Sequence, residues 1–118
     1  MEVLVIGLGS MGKRRIRLIR QIDEKIAIFG VDSRDDRRKE AADLHGITTF
    51  SDLELALEKK YDAAFICTSP LSHAALIAKC LSKGLHIFTE INLVSDGYEN
   101  NIKAAEVQGL VLFLSSTF

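Results

Sequence analysis

Gly7-Leu8-Gly9-Ser10-Met11-Gly12 is a G-x-G-x-x-G run, and Asp32 lies 20 residues beyond its last glycine. Alone, such a run is a weak signal. Its context here strengthens it: a buried apolar run, Val3–Ile6, precedes it and a helical pattern follows. Each residue type has a physical task. Gly7 permits a tight turn, Gly9 has no Cβ to obstruct an approaching pyrophosphate, and Gly12 lets the helix pack close to the strand. The N–H groups around Ser10 and Met11 then face the phosphates, with the helix dipole favouring their charge. Leu8 completes the turn. Asp32 should accept hydrogen bonds from the two adenosine-ribose hydroxyls. A 2′-phosphate would set like charge against it, so NAD is favoured and NADP is the alternative. Ser33 and Arg34 follow directly, and Arg34 is suited to stack on adenine or to hold a 2′-phosphate. Arg37 and Arg38 read as a solvated helix face paired with Asp35, Asp36 and Glu40.

Such a turn needs elements to hold it. The chain alternates short β-rich runs with helical patterns, which predicts a parallel sheet with crossover helices. The strands are expected at Val3–Ile6, Ile26–Val31, Ile47–Phe50, Ala63–Cys67, His86–Thr89 and Leu110–Leu114. Helices are expected over Met11–Ile22, Arg34–His45 with Gly46 as its stop, Asp52–Lys60, Ser69–Lys83 and Tyr98–Gln108. Ser51 reads as the N-cap of the third helix, with Glu54 as its capping-box partner. In the first helix Met11, Gly12, Ile16, Leu18, Ile19 and Ile22 are assigned to the apolar side, with Lys13, Arg14, Arg17 and Arg20 facing water. Arg15 intrudes on the apolar side and needs a partner or a cleft. Right-handed crossovers make this a doubly wound α/β sheet of about six strands. Ligands in such sheets bind outside the carboxyl ends of the strands.

Composition bounds the rest. The 118 residues fit one domain, and 47% hydrophobic with 26% charged residues is ordinary globular composition. A net charge of −1 gives no footprint for nucleic acid. No stretch approaches the ~20 apolar residues of a membrane span, and nothing reads as a signal peptide, so a cytoplasmic protein is expected. Cys67 and Cys80 lack metal or redox spacing and read as two reduced thiols. No metal site is expected. His45 reads as a C-terminal partner of its helix dipole and His86 as structural.

Two further stretches, Cys67-Thr68-Ser69-Pro70-Leu71-Ser72-His73 and Gly84-Leu85-His86-Ile87-Phe88-Thr89-Glu90, complete a set of three motifs in order. With them the whole chain resembles the Gfo/Idh/MocA oxidoreductases, whose members carry the glycine turn, then T-P-x-x-x-H, then G-K-H-V-x-x-E-K-P. The resemblance implies a Rossmann-type NAD(P)-binding domain over residues 1–118, normally followed by a second, substrate-holding domain that this chain lacks and that mediates homo-oligomers. It implies that Thr68, Ser69 and Leu71 line the loop under the ribose–nicotinamide half, and that His73 and Glu90 are the motif His and Glu. The match ends there, because Ile91 stands where the family has Lys and Asn92 where it has Pro. Arg15 stands where many members have His. The family Lys assists proton or hydride chemistry at the substrate hydroxyl, and Ile does neither, so the sequence assigns no catalytic residue. The implied activity is hydride transfer with a sugar-like or polyol substrate, and the isolated chain is expected to be inactive. The alternative is a non-catalytic NAD(H)-sensing module.

Overall fold

The computed structural model describes residues 1–68, 73–90 and 112–115. The elements run β1 (Glu2–Ile6), α1 (Ser10–Ile22), β2 (Ala27–Val31), α2 (Asp35–His45), β3 (Thr48–Phe50), α3 (Leu53–Ala56), β4 (Ala63–Ile66), α4 (His73–Ser82), β5 (His86–Glu90) and β6 (Leu112–Ser115). The strands form one sheet in the order β3-β2-β1-β4-β5-β6, and every pairing is parallel. The fifth helix expected from the sequence, Tyr98–Gln108, lies outside the described residues.

Strand β1 shows why the sheet must be covered on both faces. Val3 and Val5 join a core with Leu8, Ile16, Ile19, Ile28, Ala41 and Ile47, beneath α1 and α2. Leu4 and Ile6 point the other way, into a core with Ala56, Ile77, Leu81 and Ile87, from α3, α4 and β5. A strand buried on both sides has no need of polar alternation, hence the unbroken apolar run. The order reverses at β1, which has β2 on one side and β4 on the other. A crevice opens there at the carboxyl ends, where connections leave in opposite directions.

Several local expectations are corrected. The cap of α3 is Asp52, not Ser51: its carboxylate accepts the Glu54 backbone N–H at 3.2 Å. The helix is also shorter than Asp52–Lys60, ending at Ala56. In α1 only Gly12, Ile16 and Ile19 are buried, while Leu18 and Ile22 are 40% and 81% exposed. The side assigned to water instead turns partly toward α2. Lys13 Nζ meets Glu40 at 2.6 Å, and Arg20 Nη2 donates to the His45 carbonyl oxygen at 2.8 Å. Arg14 and Arg17 stay exposed. At the end of α2, burial, with Arg17, Arg20 and Lys13 nearby, holds the His45 pKa below the ordinary imidazole value and favours the neutral ring.

Candidate functional site

The β1–α1 turn is built from close backbone contacts. Gly7 has φ +95°, in the region that favours glycine. Its N–H donates to the Val31 carbonyl oxygen at 2.8 Å, and a Cβ there would lie 2.7 Å from the Cys67 carbonyl oxygen. The turn is thus clamped between β2 and β4. At Gly12 a Cβ would overlap the Gly7 carbonyl oxygen, so this glycine sets how tightly α1 closes on the turn. Gly9 differs. Its φ of −73° is ordinary, and a Cβ there would project toward the Arg37 guanidinium, with Cζ 3.4 Å away. The first bond of the α1 ladder runs from Lys13 N–H to the Gly9 carbonyl oxygen. The N–H groups of Ser10, Met11 and Gly12 therefore precede the ladder at the helix mouth.

Leu8 serves the turn from beneath. Its side chain is fully buried, and its two δ-methyls fill the space that a Cβ on Gly30 would need. Its N–H donates to Asp32 Oδ2 at 2.8 Å, so it braces the acid from behind and does not line the cleft. Asp32 is 9% exposed. Its other oxygen accepts the Arg34 N–H at 2.9 Å, and Arg37 Nη1 lies 3.6 Å from Oδ2. A carboxylate held by two backbone donors is fixed in place, with acceptor capacity left for hydroxyls.

These groups meet in one cleft of ≈ 640 Å³. Gly7, Gly9, Ser10, Met11, Asp32 and Ser33 line it on the turn side, and Thr68 lines it from the end of β4. Of the remaining sequence-predicted residues, Arg34 does not line the cleft. Its Nε and Nη2 clasp both oxygens of Asp36 at 3.1 and 2.7 Å, on the surface. That pair also holds the Asp36 carboxyl below its usual range. His73 begins α4 and Glu90 ends β5, whose Cα pairs with Ser115 of β6. Ser69, Leu71 and Ile91 lie outside the described residues.

Sequence reasoning missed three contributors. Cys67 lines the cleft beside Thr68 and is only half-buried, whereas Cys80 is deep in the core, with burial pushing its thiol up to about 12. Asp52 lines the far wall after β3, as the carboxyl-end rule would have allowed. Arg37 also lines the cleft, although its helical position read as solvated. Arg15 finds its partner in the Phe88 ring, with the guanidinium carbon 4.8 Å from the centroid. Among the described residues no group of three or more His, Cys, Asp or Glu is placed to hold a metal ion, and no helix is long and apolar enough to cross a membrane.

A glycine turn at a helix mouth, an acid at the end of the next strand and a parallel doubly wound sheet define a dinucleotide-binding domain. The chain belongs to the Gfo/Idh/MocA oxidoreductase family with its NAD-binding Rossmann fold, whose model matches residues 1–115. It is 32% identical over 92 residues to myo-inositol 2-dehydrogenase of Thermotoga maritima, an alignment covering 76% of this chain and 28% of that enzyme. The fold is shared with the WlbA dehydrogenase of Bordetella pertussis, solved with NADH and UDP-GlcNAcA, at TM-score 0.86 and 22% identity over 95% of this chain and 35% of that one. It is shared too with KijD10, a 3-ketoreductase of Actinomadura kijaniata solved with NADP and TDP-benzene, at TM-score 0.84 and 24% identity over 97% and 36%. The chain thus spans about a third of the length of these relatives.

The residues present fit the cofactor. At Gly9 only the movable Arg37 side chain, and no backbone, stands near the place of a Cβ, and Asp32 lies fixed in the same cleft. Replacing Asp32 by Asn keeps one acceptor oxygen but removes the charge. NADH affinity should fall about tenfold, the effect of losing one charge-assisted bond, and the gap to NADPH should narrow. Calorimetric titration of both nucleotides checks this; a wild type already preferring NADPH would remove Asp32 from the ribose.

Proposed function

We propose that this chain is the dinucleotide-binding domain of a cytoplasmic oxidoreductase that moves a hydride between NAD and a carbinol or carbonyl carbon of a sugar-like or polyol substrate. A bound nicotinamide supplies the hydride chemistry. The chain's own residues bind and orient. The Ser10, Met11 and Gly12 N–H groups would receive the pyrophosphate at the mouth of α1, and Asp32 would accept the ribose hydroxyls, with Ser33 beside it. Thr68, with Ser69, Leu71, His73 and Glu90, would stand along the ribose–nicotinamide half. One observation carries the reading: a fixed, buried carboxylate shares a cleft with a glycine turn that at Gly9 faces only a movable side chain, that of Arg37, and no backbone. The shared fold takes NADH in one relative and NADP in another, so the choice must come from this chain's side chains, and Asp32 favours NAD. The sugar-like class follows the inositol dehydrogenase relative.

Position 91 bears on catalysis. Ile91 offers no ammonium. The 118-residue chain should therefore bind NADH yet give no NADH from a panel of polyols, sugars and hydroxy acids. General acid–base help is worth ~10²–10⁴ in rate, so its presence would be visible even with weakly bound substrate. Turnover that vanishes in Glu90→Gln or His73→Ala would show instead that this domain carries its own acid–base pair. Ile91 also favours a second reading, in which NAD(H) binding shifts a conformation or an assembly; any such turnover would rule it out.

A further inference from the structure

Three arginines cluster where β2 passes into α2, and the structure separates their roles. Arg34 is clasped by Asp36 at the surface. Arg38 is a clamp on the chain itself: Nη1 donates to the Asp32 carbonyl oxygen at 2.8 Å and Nη2 to Asp35 at 3.0 Å. Arg37 is held only loosely, with Nη1 3.6 Å from Asp32 Oδ2 and a side chain 41% exposed. That carboxylate oxygen already accepts the Leu8 N–H. The same guanidinium lies against Gly9, with Cζ, Nη1 and Nη2 within 3.4–3.7 Å of the place a Cβ would occupy. Arg37 is therefore the arginine of this cluster that reaches the glycine turn.

The charge in the cleft has a consequence. Among its described lining residues Asp32 and Asp52 are anionic and Arg37 is the cation. A dinucleotide brings a doubly charged pyrophosphate into this setting. The helix mouth supplies N–H groups but no full charge.

We propose that Arg37 is a positive clamp on the dinucleotide pyrophosphate, exchanging its long ion pair with Asp32 for a charge-assisted contact when ligand enters. This rests on the dinucleotide reading above. An arginine fork suits a phosphate, and the exchange leaves Asp32 to the ribose. Because the contact is made beside Gly9, Arg37 acts on a group common to NAD and NADP and does not choose between them. Arg34, clasped by Asp36 at the surface, does not line the cleft that Arg37 enters.

The test is calorimetric titration of wild type, Arg37→Ala and Arg37→Lys with NADH, NADPH, ADP-ribose and adenosine, with Arg37→Gln as a second neutral variant that keeps the stem. The neutral variants should weaken NADH, NADPH and ADP-ribose alike, by about five- to thirtyfold at low salt. The loss should shrink as salt is added, and Arg37→Lys should recover part of it. Adenosine, which has no phosphate, should bind all four proteins equally. Unchanged or tighter NADH binding in the neutral variants would overturn the proposal, making Arg37 a side chain that merely fills the cleft. Loss confined to NADPH would overturn it in favour of the 2′-phosphate, and loss on adenosine in favour of stacking on the base. A wild type that binds none of the nucleotides would sink the dinucleotide reading itself, and that arm is read separately.

Discussion

Gly9→Val should abolish measurable NADH binding while the circular-dichroism spectrum stays native. The two halves of this expectation come from different features of one residue. Gly9 has φ −73° and ψ −160°, an extended conformation open to any residue, so valine brings no backbone strain. The atoms a Cβ would meet belong to the end of the Arg37 side chain, the nearest at 3.4 Å, and a flexible side chain can give way. Valine is a poor N-cap, which costs the fold about 1 kcal/mol. Its methyls, however, project into the space where the pyrophosphate must approach the N–H groups of α1. Losing two charge-assisted hydrogen bonds at ~1.5–3 kcal/mol each weakens binding by about 10²-fold or more. Calorimetry with NADH reads the loss and the spectrum reads the fold. Affinity within a few-fold of wild type would take the glycine turn out of the site.

The parts of this molecule that backbone geometry dictates were legible in its sequence. Val3–Ile6 had to be apolar throughout because β1 is covered on both faces, and Gly7 and Gly12 had to be glycine because backbone atoms stand where Cβ atoms would go. Asp32 could be placed because the second strand of such a unit ends in register with the turn, where the Gly7 N–H reaches the Val31 carbonyl oxygen.

What escaped were choices between chemically equal neighbours. Arg34, Arg37 and Arg38 fall within five positions, and helical spacing does not say which turns inward. The acids decide: Asp36 takes Arg34, Asp35 takes Arg38, and Arg37 is left to the cleft. Ser51 and Asp52 are both good caps, and the direction of one backbone N–H, that of Glu54, separates them. In α1 the apolar Leu18 and Ile22 stay exposed while Lys13 and Arg20 turn inward, because α2 offers Glu40 and the His45 carbonyl oxygen as partners. Periodicity registers apolarity but not the ion pairs that a neighbouring helix supplies.

Gly12→Ala should lower the melting temperature sharply, against the intrinsic preference of the residue. Within a helix alanine is ordinarily more stable than glycine by ~0.5–1 kcal/mol, and Gly12 lies inside α1. The tertiary contact reverses the sign. A Cβ on Gly12 would overlap the Gly7 carbonyl oxygen, and Val5 Cγ1 would stand 3.5 Å from it. The obstacle is backbone and cannot change rotamer. It is itself held in place, because Gly7 is tied to Val31 by a 2.8 Å hydrogen bond and the Cys67 carbonyl leaves no room for a Cβ beside it. Relief requires α1 to lift from the turn, which would loosen Ile16 and Ile19 in the core beneath it. Overpacking ordinarily costs ~1–3 kcal/mol, and a backbone-to-backbone overlap belongs at or above the top of that range. For a domain of 118 residues each kcal/mol moves the midpoint by roughly 4 °C, so a fall of about 12 °C or more is expected. A thermal melt followed by circular dichroism measures it. A midpoint equal to or above that of the wild type would mean that α1 is not packed on the Gly7 carbonyl, and the tight turn on which the dinucleotide site rests would have to be redrawn.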